Sequence, residues 1–228
     1  VEIDHFNDLA TDGVGGTYGD NRFGDDYIAG GPQNDTIFGQ LGNDTIQGDG
    51  SITLAVSAGR NPDDTLAVTP SSEDFAGAGS DGDDYIEGNA GDDLIFGNLG
   101  QDDIIGGSSS LFGLGGTADS ADLIFGGAGT DIARNHSGDT SATGHATDSD
   151  MILGDNGNIY RLVGTQGVNG GAFLSYTYDN YSTTEHIIVR AAELLDYTPG
   201  GIDYDSNAAT DQGAGDEIHG ESGDDFIY

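Results

Sequence analysis

The sequence predicts an all-β fold, a parallel β-roll with loop and β-hairpin insertions at its turns. Three observations predict it: a nine-residue period, glycine at 41 of 228 positions, and an apolar residue two positions after each recurring aspartate. The period is clearest in two tandem blocks, over 21–47 and 79–105, where Asp-x-Ile recurs every nine residues. A short fixed period of this kind indicates a repeat architecture.

Each nine-residue unit divides into a turn and a strand. Glycines at positions one, two and four allow positive φ and close backbone approach, so the first six residues are expected to form a tight turn. The last three form a short strand, in which position eight points inward and positions seven and nine point outward. Two units complete one coil. Strands then stack in parallel at about 4.8 Å, and every second turn lies on the same edge.

The charge of the chain requires cations. There are 41 Asp and Glu residues against 5 Lys and Arg, which gives a formal net charge of −36. Such a chain repels itself unless bulk salt screens the carboxylates or divalent ions bind them, and hard oxygen ligands favour calcium over transition metals. The same charge argues against nucleic acid or an anionic membrane surface as a partner. Without cysteine there is no disulfide, and without an apolar run of about 20 residues we expect no membrane insertion.

The tandem units resemble the RTX (repeats-in-toxin) calcium-binding nonapeptide, G-G-x-G-x-D-x-U-x. One unit reads Gly88-Asn-Ala-Gly91-Asp-Asp93-Leu-Ile95-Phe. The resemblance implies a type I-secreted bacterial protein with an RTX β-helix solenoid that folds around several Ca²⁺ ions outside the cell. It also implies that the position-six aspartates are the metal ligands. These are Asp26, Asp35, Asp44, Asp84, Asp93, Asp102, Asp122, Asp131, Asp150, Asp216 and Asp225.

The parity of the units predicts which aspartates lie on a common edge: Asp26 with Asp44, and Asp84 with Asp102. Three departures weaken individual units: Gln33 at a glycine position, Ala133 at a core position, and Ile159 at an aspartate position. The domain organisation follows from where the period breaks. We expect a lead-in over 1–20, a roll over 21–157 with insertions at about 51–78, 107–120 and 135–148, a β-rich inserted subdomain over 158–211, and a roll over 212–228 that continues beyond the fragment.

The insertions carry their own predicted elements. Apolar and β-branched stretches at 52–56 and 65–68 predict a hairpin in the first insertion. In the subdomain, similar stretches at 159–163, 172–178 and 186–190 predict strands, and 191–195 is interpreted as a short helical turn. Outward aromatic residues of the repeats are expected to be covered by the insertions or, as the second choice, by a neighbouring molecule. They are Tyr27, Phe38, Tyr85, Phe96, Phe125 and Phe226.

No catalytic residue and no cofactor other than calcium is predicted, so we expect no enzyme. The Asp-Asp pairs all fall at the same repeat positions, although sequence alone does not formally exclude a carboxylate pair of the glycosidase type. There is no H-E-x-x-H or G-x-S-x-G motif, and the five histidines lack zinc-ligand spacing.

Three functions are compatible with these features. The first is a calcium-dependent structural or adhesive segment of a secreted, extracellular or cell-surface bacterial protein of the surface, matrix, filament or S-layer type, with self-association or surface contact. The alternative is a calcium-triggered folding and secretion module of a type I-secreted enzyme or toxin. The third, less favoured, is a lectin-like module over 158–211.

Overall fold

The computed structural model describes residues 24–73, 80–112, 119–133, 147–167, 170–176, 186–195 and 213–228, and every element in these ranges is a β-strand. The strands are β1 (Tyr27–Ala29), β2 (Thr36–Leu41), β3 (Thr45–Gln47), β4 (Ser57–Arg60), β5 (Leu66–Thr69), β6 (Tyr85–Ala90), β7 (Leu94–Phe96), β8 (Asp103–Ile105), β9 (Leu123–Phe125), β10 (Met151–Leu153), β11 (Gly157–Arg161), β12 (Ser175–Tyr176), β13 (Ile187–Ile188), β14 (Arg190–Leu194), β15 (Glu217–His219) and β16 (Phe226–Ile227). The predicted lead-in over 1–20 lies outside the described residues. No helix within them is long and apolar enough to cross a membrane.

The repeats form two five-stranded parallel sheets. The first sheet has the order β1-β3-β7-β9-β15, and the second has the order β16-β10-β8-β6-β2. Successive repeat strands alternate between the sheets, as the parity of the nine-residue units predicted. The register sets position eight against position eight: Ile46 pairs with Ile28 on one side and with Ile95 on the other. The all-β prediction is therefore confirmed.

The position-eight isoleucines make the core that joins the two sheets. The cluster consists of Ile37, Ile46, Ile86, Ile95, Ile104, Ile124 and Ile152, with Ile28 and Ile218 packed against it. Each strand contributes one inward side chain, and burying one such side chain stabilises the fold by about 1.5–3 kcal/mol. Because the core is only one side chain deep per strand, the turns that hold the strands in register matter as much as the core.

The first insertion folds as a hairpin over the outer face of the first sheet. Strands β4 and β5 pair antiparallel, and Val56 and Val68 pack with Phe96 and Phe125 of the sheet. The hairpin was predicted, but its first strand was placed wrongly at 52–56. That stretch has only one inward anchor, Val56, whose N–H donates to the Tyr27 hydroxyl, and the strand begins after it.

The second outer face is covered by residues of two other insertions. Ile159 and Leu194 pack with the outward residues of β8 and β10, while Phe112 contacts Phe38 and Tyr85. Among the predicted strands of 158–211, β11 is found with shifted ends, and β13 is shorter than expected. Strand β12 covers part of the predicted 172–178, whose last two residues lie outside the described ranges. The helical turn over 191–195 is wrong. Residues 191–194 belong to β14, which pairs antiparallel with β11, and Leu195 follows the strand as a turn residue.

The strand of the repeat unit that includes Asp131 is not found among the described residues. Ile132 and Ala133 form a turn after this aspartate, and residues 134–146 lie outside the described ranges. Ala133, at the inward position, has too little apolar surface to compete for a place in the core. The place beside β8 is taken by β10, whose Ile152 joins the core.

Candidate metal centre

The turns bring the predicted aspartates together in two rows, one at the start of each sheet's strands. We call the row that precedes the first sheet the first ladder: Asp26, Asp44, Asp93, Asp122 and Asp216. The row that precedes the second sheet is the second ladder: Asp35, Asp84, Asp102, Asp150 and Asp225.

Each ladder is a chain of backbone-to-carboxylate hydrogen bonds. The N–H of one aspartate donates to Oδ1 of the next at 2.7–3.0 Å, along the whole row. Asp26 bonds to Asp44 across 18 residues of sequence, whereas Asp122 bonds to Asp216 across 94. The insertions therefore leave the ladder geometry unchanged. The two predicted pairings, Asp26 with Asp44 and Asp84 with Asp102, are present.

In seven ladder carboxylates, the second oxygen is buried and has no hydrogen-bond partner. These are the Oδ2 atoms of Asp35, Asp44, Asp84, Asp93, Asp102, Asp122 and Asp150. A buried carboxylate oxygen without a donor costs free energy unless a cation satisfies it. The orphaned atoms therefore mark the side of each ladder on which a cation fits.

The first glycine of each unit keeps that side open. A Cβ added at Gly30 would lie 2.2 Å from the Gly48 carbonyl oxygen and 2.7 Å from Asp35 Oδ2. Only glycine fits there, so a main-chain oxygen of one turn and a carboxylate oxygen of its neighbour share a small space. The same pairing of a glycine carbonyl with an orphaned Oδ2 recurs at Gly39, Gly48, Gly88, Gly97, Gly106 and Gly126.

The ladder carboxylates are costly to ionise without a cation. Burial raises the pKa of Asp44 to about 6, of Asp84 to about 7 and of Asp93 to about 8. A backbone N–H bond lowers each pKa in part, and the next carboxylate along the ladder raises it again. Burial also raises the pKa of Asp102 well above its usual range, where it lies between Asp84 and Asp150.

The donor set fits calcium. Ca²⁺ takes six to eight oxygen ligands from carboxylates, main-chain carbonyls and water. In the part of the chain that the structure describes, no three acidic, histidine or cysteine side chains converge as a metal cluster. The ladder sites therefore need the glycine carbonyls beside the Oδ2 atoms. The chemistry that such an ion supplies is charge neutralisation between stacked turns.

Ten of the eleven predicted aspartates lie in the ladders, and Asp131 does not. Its N–H donates to Oε1 of Glu221 at 2.9 Å, outside both rows. Asp150 holds the place in the second ladder that follows Asp102.

Sequence reasoning missed acidic residues that lie outside position six. Asp49, Glu73 and Asp148 each have a buried carboxylate oxygen without a hydrogen-bond partner. Their positions carry a weak signal, since Asp49 follows Gly48 where the first insertion opens, and Asp148 lies just before Asp150 where another insertion closes. The signal in the sequence is therefore an acidic residue at the junction between an insertion and a repeat.

Comparison with known families agrees with the ladders. The model of the RTX calcium-binding nonapeptide repeat matches four segments, residues 16–51, 78–110, 118–139 and 212–228. These segments contain every ladder aspartate except Asp150. Repeats of this family bind Ca²⁺, so calcium is the metal of these repeats. Searches among curated proteins and among solved structures gave no match.

Proposed function

Because the chain belongs to the family of RTX calcium-binding nonapeptide repeats, we propose that it is a calcium-dependent structural or adhesive segment of a secreted bacterial surface, matrix, filament or S-layer-type protein. In this proposal the two sheets are one parallel β-roll, and calcium ions lie between its stacked turns. The roll folds outside the cell after type I export. Its partners are further copies of the chain, a cell surface or a matrix.

One observation carries the structural role: insertions cover the outer faces of both sheets. The rings of Phe96 and Phe125 are fully buried beneath the first hairpin, and Arg161 and Arg190 bring the β11–β14 pair onto the second sheet. Folding on calcium requires only the ladders and the core. A second layer on both sides supports use as a rigid, decorated element, and we assign it no catalytic role.

The alternative, a calcium-triggered folding and secretion module, is favoured by the electrostatics of the ladders. Buried carboxylates in rows oppose folding at neutral pH until a cation binds, as the raised pKa values of Asp84 and Asp93 indicate. A chain of this kind stays unfolded where calcium is scarce and folds where it is abundant.

Two variants of the parent protein, expressed in the organism that makes it, separate the functions. The first replaces the hairpin over 51–72 with a short Gly-Ser linker and changes Phe96 and Phe125 to threonine, which keeps the exposed face polar and strand-forming. The second changes Asp93 and Asp102 to asparagine and weakens both ladders. Amounts in the medium and on the cell surface are measured for each.

For a structural role, the hairpin variant is exported at the normal level but its surface attachment or assembly is reduced. For a secretion module, the hairpin variant behaves as wild type and the ladder variant alone lowers the exported, folded amount. Normal attachment by the hairpin variant would contradict the structural proposal.

A further inference from the structure

A small polar cavity lies where the first insertion leaves the repeats and returns to them. Its volume is about 210 Å³, and its lining includes Asp49, Ser72, Glu73, Ser80 and Asp81. None of these residues is at position six of a repeat, so the cavity uses different carboxylates from the ladders. It is placed between the repeat turns and the end of the insertion.

Asp49 offers the cavity a fixed carboxylate oxygen. The side chain is 1% exposed, and its Oδ2 accepts the N–H of Gly82 at 3.0 Å. Its Oδ1 is buried and has no hydrogen-bond partner. One oxygen is thus held by the backbone while the other is unsatisfied. A buried charge in this condition is destabilising unless a cation pairs with it.

Glu73 repeats the same arrangement from the insertion. Its Oε1 accepts the N–H of Ala128 at 3.0 Å, and its Oε2 is buried without a hydrogen-bond partner. Asp49 and Glu73 line the same cavity, one from the repeat turn and the other from the returning insertion. Two carboxylates, each with one unsatisfied oxygen, therefore line one cavity.

None of the arginines that the structure describes pairs with Asp49 or Glu73. Arg60 pairs with Glu217, and Arg161 and Arg190 both pair with Asp103. The remaining lining groups include the hydroxyls of Ser72 and Ser80, which are neutral, hard oxygen donors. A cavity of this size has room for an ion with several waters, since one water occupies about 30 Å³.

We propose that Asp49 and Glu73 bind a calcium ion in this cavity, and that the ion ties the first insertion to the repeat turns. Since no three acidic or histidine side chains converge among the described residues, serine hydroxyls and water complete the coordination. This ion is additional to those of the nonapeptide motif. The site depends on the chain's folding with calcium but not on whether its role is adhesive or in export.

The test is the number of bound ions, counted by native mass spectrometry at saturating calcium. Asp49→Asn and Glu73→Gln remove the charge but keep an oxygen that accepts the backbone N–H. Each single variant, and the double variant, is expected to bind one ion fewer than wild type, with the same circular dichroism. The control is Asp64→Asn, in the same insertion, because this side chain is 88% exposed and asparagine tolerates its positive φ.

A second measurement follows the attachment of the hairpin. With calcium present, trypsin cleavage after Arg60 is expected to be roughly fivefold faster in Glu73→Gln than in wild type, and unchanged in Asp64→Asn. If Glu73→Gln does not fold, Glu73→Asp keeps the charge on a shorter side chain and is expected to recover the full ion count only at higher calcium.

Equal ion counts in wild type and in both neutral variants would overturn this site while leaving the repeat ions in place. A wild-type chain that binds no calcium would instead overturn the metal assignment of the ladders. An unchanged cleavage rate would overturn the tie between ion and insertion.

Discussion

The outer faces of the two sheets are covered by different chemistry. On the first sheet, the rings of Phe96 and Phe125 stack at 4.9 Å, and that of His219 stacks on Phe125 at 5.1 Å. On the second sheet, Asp103 occupies an outward position and accepts from Arg161 at 2.6 Å and from Arg190 at 2.9 Å. Outward residues therefore serve apolar packing at position nine on the first sheet and buried ion pairing at position seven on the second.

This difference shows that one face mainly contributes to the stability of the fold, whereas the other mainly fixes the position of the insertion that covers it. Apolar burial on the first face stabilises the fold directly, because it removes large rings from water. The ion pairs on the second face must first offset the desolvation of three charges, so they contribute less net stability. They do fix position: Arg161 also donates to the Gln101 carbonyl and Arg190 to the Ser149 carbonyl. The second covering is thus located by directional bonds, and the first by shape.

Removal of calcium is expected to have the largest effect on folding. It should unfold both sheets, so that the difference between their outer faces disappears. Both coverings rest on sheets whose ladders repel when the ions leave. Circular dichroism during chelation should show loss of ordered β-structure, with recovery at ~10⁻³ M calcium. A spectrum that a chelator leaves unchanged in low salt would contradict the role of the ladders.

Acidification is expected to replace part of the effect of calcium. The Ca²⁺-free folded state raises the pKa of Asp44 to about 6 and of Asp93 to about 8, above the unfolded value near 4. Protonation therefore favours folding, and this stability is complete below about pH 4 and is lost as the pH rises to about 8. In a chelator, circular dichroism should show more ordered β-structure at pH 5 than at pH 8, while calcium affinity should fall at pH 5. More ordered structure at pH 8 than at pH 5 in the chelator would contradict this.

Phe125→Ala is expected to cost about 3–5 kcal/mol, because it removes a fully buried ring between Phe96 and the hairpin. The measurement is denaturant unfolding at a fixed calcium concentration, since bound ions shift apparent stability. Phe112→Ala is the control on the opposite face, where the side chain is half exposed, and it should cost less. Equal losses would indicate that the two faces are packed alike.

Asp103→Asn tests the second face. The substitution removes the carboxylate that Arg190 contacts at 2.9 Å and leaves Arg161 with Asp83 at 3.3 Å. Breaking a buried pair in this way costs about 3 kcal/mol or somewhat more. The exposed carboxylate of Asp92 gives the matched control, Asp92→Asn, for which little change is expected. If replacing Asp103 proved as mild as the control, the ion pairs would not position the second covering.

The smallest effect is expected for Arg60→Ala at the edge of the first face. Its guanidinium reaches Glu217, but both side chains are partly exposed, and surface ion pairs contribute little. The unfolding midpoint should stay within experimental error. A clear decrease would mean that the first face also depends on ion pairing.

Much of this fold and most of its metal ladders were determined by the sequence alone. The nine-residue period places one isoleucine inward per strand and one aspartate at each turn, and ten of eleven predicted aspartates lie in the two ladders. Such features are local: glycine sets the turn conformation and alternation sets which side chain points inward. Asp150 could be identified from Asp-Met-Ile152 even though it stands outside a tandem block.

Only the tertiary structure decided where the insertions lie and which repeat unit occupies each position in the sheets and ladders. Asp131 lost its place to Asp150 because Ile152 fills the core and Ala133 does not. Residues 191–194 form a strand because β11 is available to pair with them. Asp49 and Glu73 are distant in sequence but line one cavity. Contacts of this kind depend on burial against non-local partners, which a local period does not encode.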